Sequence, residues 1–198
     1  MRNILTAAVA QWLVQEGTIS DSDLNLFAYA AYCFLFGLVP ILLAVLFGIL
    51  FGMVRESLLL IFPFMLLRKF SGGFHFKSAT LCLVCSALLI ALALIGVRWL
   101  MMWKNSMVLT EVVILSIISL FVNSPIESAA RKLTDKEKAR FRGIVRFLTG
   151  MILVLYILLL LFNQPQKAIP IGMGIIITAF LQIPSLLITL VKHHIPSQ

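Results

Sequence analysis

In the stretch RKFSGGFHFKSATLCLVCS, Arg68 to Ser86, a histidine, His75, precedes a cysteine, Cys82, by seven residues. A cysteine nucleophile works as the thiolate, so it needs a base nearby and a setting that favours negative charge. Ser78 suits the N-cap of a helix, with Thr80 as an alternative. Either cap places Cys82 in the first turn or so, where free N–H groups and partial positive charge stabilise a thiolate. The same N–H groups could hold an oxyanion. On one continuous helix, His75 and Cys82 would share a face but sit about 10 Å apart, too far for direct proton transfer. Gly72 and Gly73 allow backbone conformations barred to other residues, so the SGGFH loop can curl back over the helix start. Arg68, Lys69 and Lys77 add positive potential.

Two other readings of these residues stay open. Cys82 and Cys85 are also what a packed apolar helix contains, with His75 at the membrane interface. Alternatively, Cys82, Cys85 and His75 are three metal ligands, two of them at i, i+3 on one helical face. Zinc wants four ligands, or three plus water, and His193 and His194 are far away in sequence, so no metal is expected. Cys33 reads as packing. An odd number of cysteines in apolar context is not a disulfide framework, and free thiols facing cytosol or lipid fit better.

The elements that must position these residues are apolar. The chain has 198 residues, 61% hydrophobic and 12% charged, with a mean hydropathy of +1.06. Soluble domains carry about 25% charged residues, so the solvent here must be lipid. The net charge of +8 then reports topology and anionic-lipid contact. No nucleic-acid motif is present, and no nucleic-acid partner is expected. The opening MRNILTAAVAQWLVQEG lacks a long apolar core and is expected to be retained. Residues 1–20 are expected to hold an amphipathic surface helix, ended by Gly17.

Spanning a bilayer takes about 20 helical residues, and Leu24–Val54 is 31 residues without a charge. The expected spans are about 26–48, 51–67, 79–97, 106–126, 147–163 and 169–191, with a basic cytoplasmic loop at 127–146. The expected fold is an all-α integral membrane protein, a single domain of about six transmembrane helices. With the N-terminus in the cytoplasm, twelve of the sixteen Lys and Arg face inward. The opposite orientation runs against the positive-inside bias. The stretch from Arg68 to Lys77 then lies at the cytoplasmic face of the cell membrane. A small transporter or export component and a catalytically silent scaffold are the alternative functional classes. Against a transporter, spans three to six carry no charged residue besides Glu111.

Arg-x-x-x-Gly-Gly-x-His, followed by Cys seven residues after the His and Ser four further on, resembles the signature of the AgrB (accessory gene regulator B) family. The matching residues are Arg68, Gly72, Gly73, His75, Cys82 and Ser86. The stretch SPIESAARKLTDKEKARFR (124–142) resembles that family's turn and basic run after the fourth span, with Ser124 where the family usually has alanine. Cys85 is not a shared feature. The family comprises membrane cysteine endopeptidases of bacterial quorum sensing. They remove the C-terminal tail of a short precursor, AgrD, and help convert the rest into a cyclic thiolactone or lactone pheromone.

The resemblance implies that Cys82 is the nucleophile and His75 its base, acting through a thioester acyl-enzyme and without a cofactor. Gly72 and Gly73 would shape the loop and Arg68 would support it. Ser86, one turn after Cys82, would hydrogen-bond within the site or to its own helix backbone. Family precursors have acidic tails, so Lys132, Lys136, Lys138, Arg140 and Arg142 become candidate tail-binding residues. The implied partners are an AgrD-like precursor, membrane lipid and a second copy of the chain.

Overall fold

The computed structural model describes residues 12, 16, 24–72, 78–103, 106–126 and 134–187. Among them the chain forms six α-helices and no strand: α1 (Leu24–Phe51), α2 (Val54–Ser71), α3 (Ala79–Trp103), α4 (Ser106–Asn123), α5 (Asp135–Leu161) and α6 (Pro165–Phe180). The protein is an all-α membrane protein. Thr80–Met102, Asp135–Leu161 and Pro165–Leu187 are each long and apolar enough to cross a bilayer, and Gly37–Phe51 and Met107–Asn123 are shorter apolar helices. Apart from Trp12 and Glu16, the expected amphipathic helix over 1–20 lies outside the described residues, as do Gly73, His75, Lys77 and Lys132.

The chain divides after Leu42 into two compact units, the first holding the larger part of α1 and the second everything from Leu43 onward. In the second unit, α1 ends in a tight turn. Gly52 adopts φ +66, and the Ser57 hydroxyl donates to the Ala44 carbonyl at 2.6 Å. That buried bond satisfies a polar group that lipid would leave unpaired.

The second unit is organised around α6, which packs most extensively against α2 and then α4. Leu60, Ile61, Phe64 and Leu67 of α2 are buried with Ala168, Ile169, Ile171 and Ile175 of α6. In lipid, apolar side chains gain little by leaving their solvent, so close van der Waals packing drives helix pairing and small residues mark the contact. Gly174 is such a point. A Cβ there would lie 2.5 Å from the Leu60 carbonyl oxygen and 2.8 Å from the Pro63 ring.

Helix α5 begins well before its apolar section. Thr134 caps it, accepting from the Glu137 amide at 3.4 Å while the Glu137 carboxylate accepts from the Thr134 amide at 3.0 Å. This reciprocal capping box starts the helix at Asp135, so residues 135–146 of the basic stretch are its opening turns. They continue directly into the apolar part of α5.

Candidate functional site

The site gathers where α2 ends and α3 begins. Helix α2 stops at Ser71 because Gly72 adopts φ +71 and ψ −156, a region essentially reserved for glycine. Ile126 bonds back through its amide to the Ser71 carbonyl at 3.0 Å, and Gly72 and Ile126 form an isolated parallel bridge. A side chain at 72 would collide with the Ile126 carbonyl oxygen. The residues following α4, including the cis Ser124–Pro125 peptide, are therefore pinned to the end of α2. The half-buried Arg68 reaches one turn ahead and donates from Nη1 to the Gly72 carbonyl at 2.9 Å.

Helix α3 opens beyond the loop. The Cys82 amide bonds to the Ser78 carbonyl at 3.0 Å, the first bond of the helix ladder. The amides of residues 79–81 consequently have no carbonyl four residues back within α3, and they lie on the side toward which a helical side chain leans. Cys82 and Cys85 are free, half-buried thiols, and Ser86 is half-buried one turn beyond Cys82. The Cys82 sulfur and the Arg68 guanidinium lie close enough to interact electrostatically. Of the residues singled out from sequence, Arg68 is bonded to Gly72 and interacts electrostatically with Cys82. Gly73 and His75 belong to the undescribed 73–77. No cluster of three metal-ligating side chains occurs among the described residues.

At the end of α2 lies a buried polar residue that sequence spacing does not single out. The fully buried Gln182, just past the end of α6, donates from Nε2 to the Ser71 carbonyl at 3.2 Å and to the Ser124 hydroxyl at 2.9 Å. An amide inside the apolar stretch 169–191 is the available signal, because polar groups are costly at that depth and need partners.

Four of the five candidate tail-binding residues, all but the undescribed Lys132, ride on α5 in two rows. Lys136 and Arg140 occupy one side, both exposed. Lys138, half-buried, and Arg142, exposed, lie seven residues before the buried Val145 and Thr149, on the same side of the helix. Phe141 approaches Phe70 at the end of α2, ring centroids 6.1 Å apart. A cleft of about 1270 Å³ lined by Glu56, Thr110, Glu111 and Lys167 lies at the other ends of these helices and includes none of the candidate residues.

Fold and site together define a class: a helical membrane protein that presents a thiol at a helix opening beside a half-buried guanidinium. The sequence matches accessory gene regulator B, AgrB, over residues 6–186, and the chain belongs to that family. It is 27% identical over 78 residues to an AgrB-like protein of Clostridium perfringens (strain SM101 / Type A), a match covering 39% of this chain and 36% of that relative. A second AgrB-like protein, from C. perfringens strain 13 / Type A, is 26% identical over 78 residues with the same coverage. The matched stretch thus spans about a third of these relatives' length. No solved structure matches the chain.

Proposed function

We propose that the chain is a membrane-embedded cysteine endopeptidase that removes the C-terminal tail of a short AgrD-like pheromone precursor and promotes its cyclisation. The observation that supports this reading is Cys82 in the opening turn of α3, its amide making the first bond of the helix ladder, within electrostatic reach of Arg68. Family membership supports the substrate class. In this mechanism His75 takes the Cys82 proton and the thiolate attacks the scissile carbonyl. The opening amides of α3 and the Arg68 guanidinium face the developing oxyanion. The C–N bond breaks, and His75 returns the proton to the departing amine of the tail.

The resulting thioester keeps the acyl group activated. A cysteine or serine inside the precursor, giving up its proton to His75, then attacks it, closing a thiolactone or lactone ring and releasing the Cys82 thiolate. Water at this step would hydrolyse the thioester instead, and apolar surroundings disfavour that outcome. Leu81, Leu83 and Val84 beside Cys82 present exposed apolar side chains. The positive-inside count supports the cytoplasmic face of a multi-pass protein as the place of this chemistry. The test is co-expression with an acidic-tailed precursor, reading loss of the tail on a gel. Cys82→Ala and His75→Ala abolish cleavage in this reading, and Cys82→Ser nearly does. Cleavage that survives in Cys82→Ala overturns it.

A further inference from the structure

We propose that the cleft at the helix ends opposite Cys82 binds phosphatidylethanolamine, taking the ammonium and the phosphate of its headgroup. This is a second site, independent of the chemistry at Cys82. Between Leu24 and Ile126 the chain carries two carboxylates, Glu56 and Glu111. They stand on different helices, α2 and α4, and both line this cleft, as does Lys167 of α6. Glu56 and Lys167 are half-buried and Glu111 is exposed, so a ligand can reach all three. Neither carboxylate pairs with Lys167 or with any other described cation. Charges of both signs are held apart around one space. Glu111 stands five residues inside α4, about 7.5 Å along its axis, and an ionisable side chain inside a membrane helix points to a functional site. Lys167 is badly placed for its own helix. It lies in the first turn of α6, which has no side-chain cap, and the partial positive charge of a helix N-terminus disfavours a cation there. An anion seated on that turn would satisfy both the lysine and the helix end.

The matching ligand carries an ammonium for Glu56 and Glu111 and, a few bonds away, a phosphate for Lys167. Phosphoethanolamine is that arrangement. Its ammonium has three N–H donors, enough for carboxylates on two helices, and hydrogen bonds between ionised groups are the strong ones. Arg98 adds a second cation, in a smaller hollow that shares Glu56 and Met101 with the cleft. The cleft also has a polar wall, where the Thr110 hydroxyl shares a hydrogen bond of 3.0 Å with the buried Tyr156. Two observations favour a lipid over a free zwitterion. Met107 of the cleft and Met102 of the hollow are 79% and 72% exposed, an apolar rim on which acyl chains can lie. The volume of about 1270 Å³ also exceeds the roughly 300–1,000 Å³ of a small-molecule pocket, leaving room for the head of each chain beside the headgroup.

The experiment titrates the detergent-solubilised full chain with dioleoyl phosphatidylethanolamine or dioleoyl phosphatidylcholine and counts bound lipid by native mass spectrometry. The two lipids share chains, phosphate and net charge. They differ in that the choline nitrogen has no N–H to donate. Wild type binds the ethanolamine lipid roughly tenfold more tightly, the worth of one charge-assisted hydrogen bond. Glu56→Gln with Glu111→Gln brings it down to the level of the choline lipid. Lys167→Gln weakens both lipids together, because both present the phosphate. Arg55→Gln, exposed and outside the cleft, changes neither. Equal binding of the two lipids in wild type overturns the proposal, and so does an ethanolamine preference that survives in the double variant. If the double variant does not accumulate, Glu111→Gln alone decides: it gives up part of the preference, and an unchanged preference overturns the proposal. Soluble phosphoethanolamine is the last arm. It should displace the lipid only in large excess, and displacement at equal concentration would make the ligand a free zwitterion and overturn the lipid assignment.

Discussion

Cys82 and Cys85 are three residues apart on one helix and differ in what precedes them. Cys82 follows the opening amides of α3 and lies within electrostatic reach of Arg68, whereas a full turn of helix precedes Cys85. The influence of a helix N-terminus fades within about the first turn. Cys85→Ala is therefore expected to leave most precursor cleavage intact on the co-expression gel, and equal loss in Cys82→Ala and Cys85→Ala would point to a shared metal. Two glycines should respond with opposite signs to alanine. Gly72→Ala meets both its backbone conformation and the Ile126 carbonyl, and costs about 1–3 kcal/mol or more. Gly143→Ala has open space around it in the exposed first half of α5, and gains about 0.5–1 kcal/mol of helix stability. Thermal unfolding in detergent, followed by helical circular dichroism, separates the two. At this scale the sequence was readable where spacing carries meaning: Arg68, Gly72 and Cys82 sit on one short stretch. Gln182 was not, because its partners Ser71 and Ser124 are joined to it only by the fold.

Helix α5 is half soluble and half apolar, with a capping box at one end and buried Ile152 and Tyr156 further along. The arrangement of its basic residues makes the tail-capture idea specific. Charge reversal in the row that shares a side with Val145 and Thr149, Lys138→Glu with Arg142→Glu, is expected to weaken binding of a synthetic acidic tail peptide. Reversal of the outward row, Lys136→Glu with Arg140→Glu, should have the smaller effect. Both effects should shrink as salt shortens the screening length. Equal effects from the two rows, or none from either, would leave the basic residues as an orientation signal. Thr134→Ala should cost about 1 kcal/mol of helix stability, seen as fraying of the first turn by hydrogen exchange. The apolar part of this helix is plain from composition. Its start is less so, because a dense run of charges reads as loop unless the Thr134 to Glu137 spacing is recognised as a cap.

Across the whole chain, composition was enough to establish a helical membrane protein, because no water-facing fold hides this much apolar surface. Which helices pair was not readable. Helices apolar all round carry no amphipathic stripe to mark their inner face, and the pairing of α2 with α6 depends on local clearance such as that at Gly174. Gly174→Val is expected to force these helices apart, lowering the yield of monodisperse protein in detergent far more than Gly150→Val, whose surroundings are open.

The pairing of α2 with α6 also has a consequence for biosynthesis. Helix α2 is complete at Ser71, and its principal partner does not begin until Pro165. At about 5–20 residues per second, the ribosome keeps α2 waiting for several seconds without its principal partner. During that interval its Gly174-facing groove is open to chaperones, to the insertion machinery and to membrane proteases. Chains truncated after α5 should be held in that state permanently. They are expected to be degraded quickly even though every residue of the proposed catalytic stretch, from Arg68 to Ser86, has already been made.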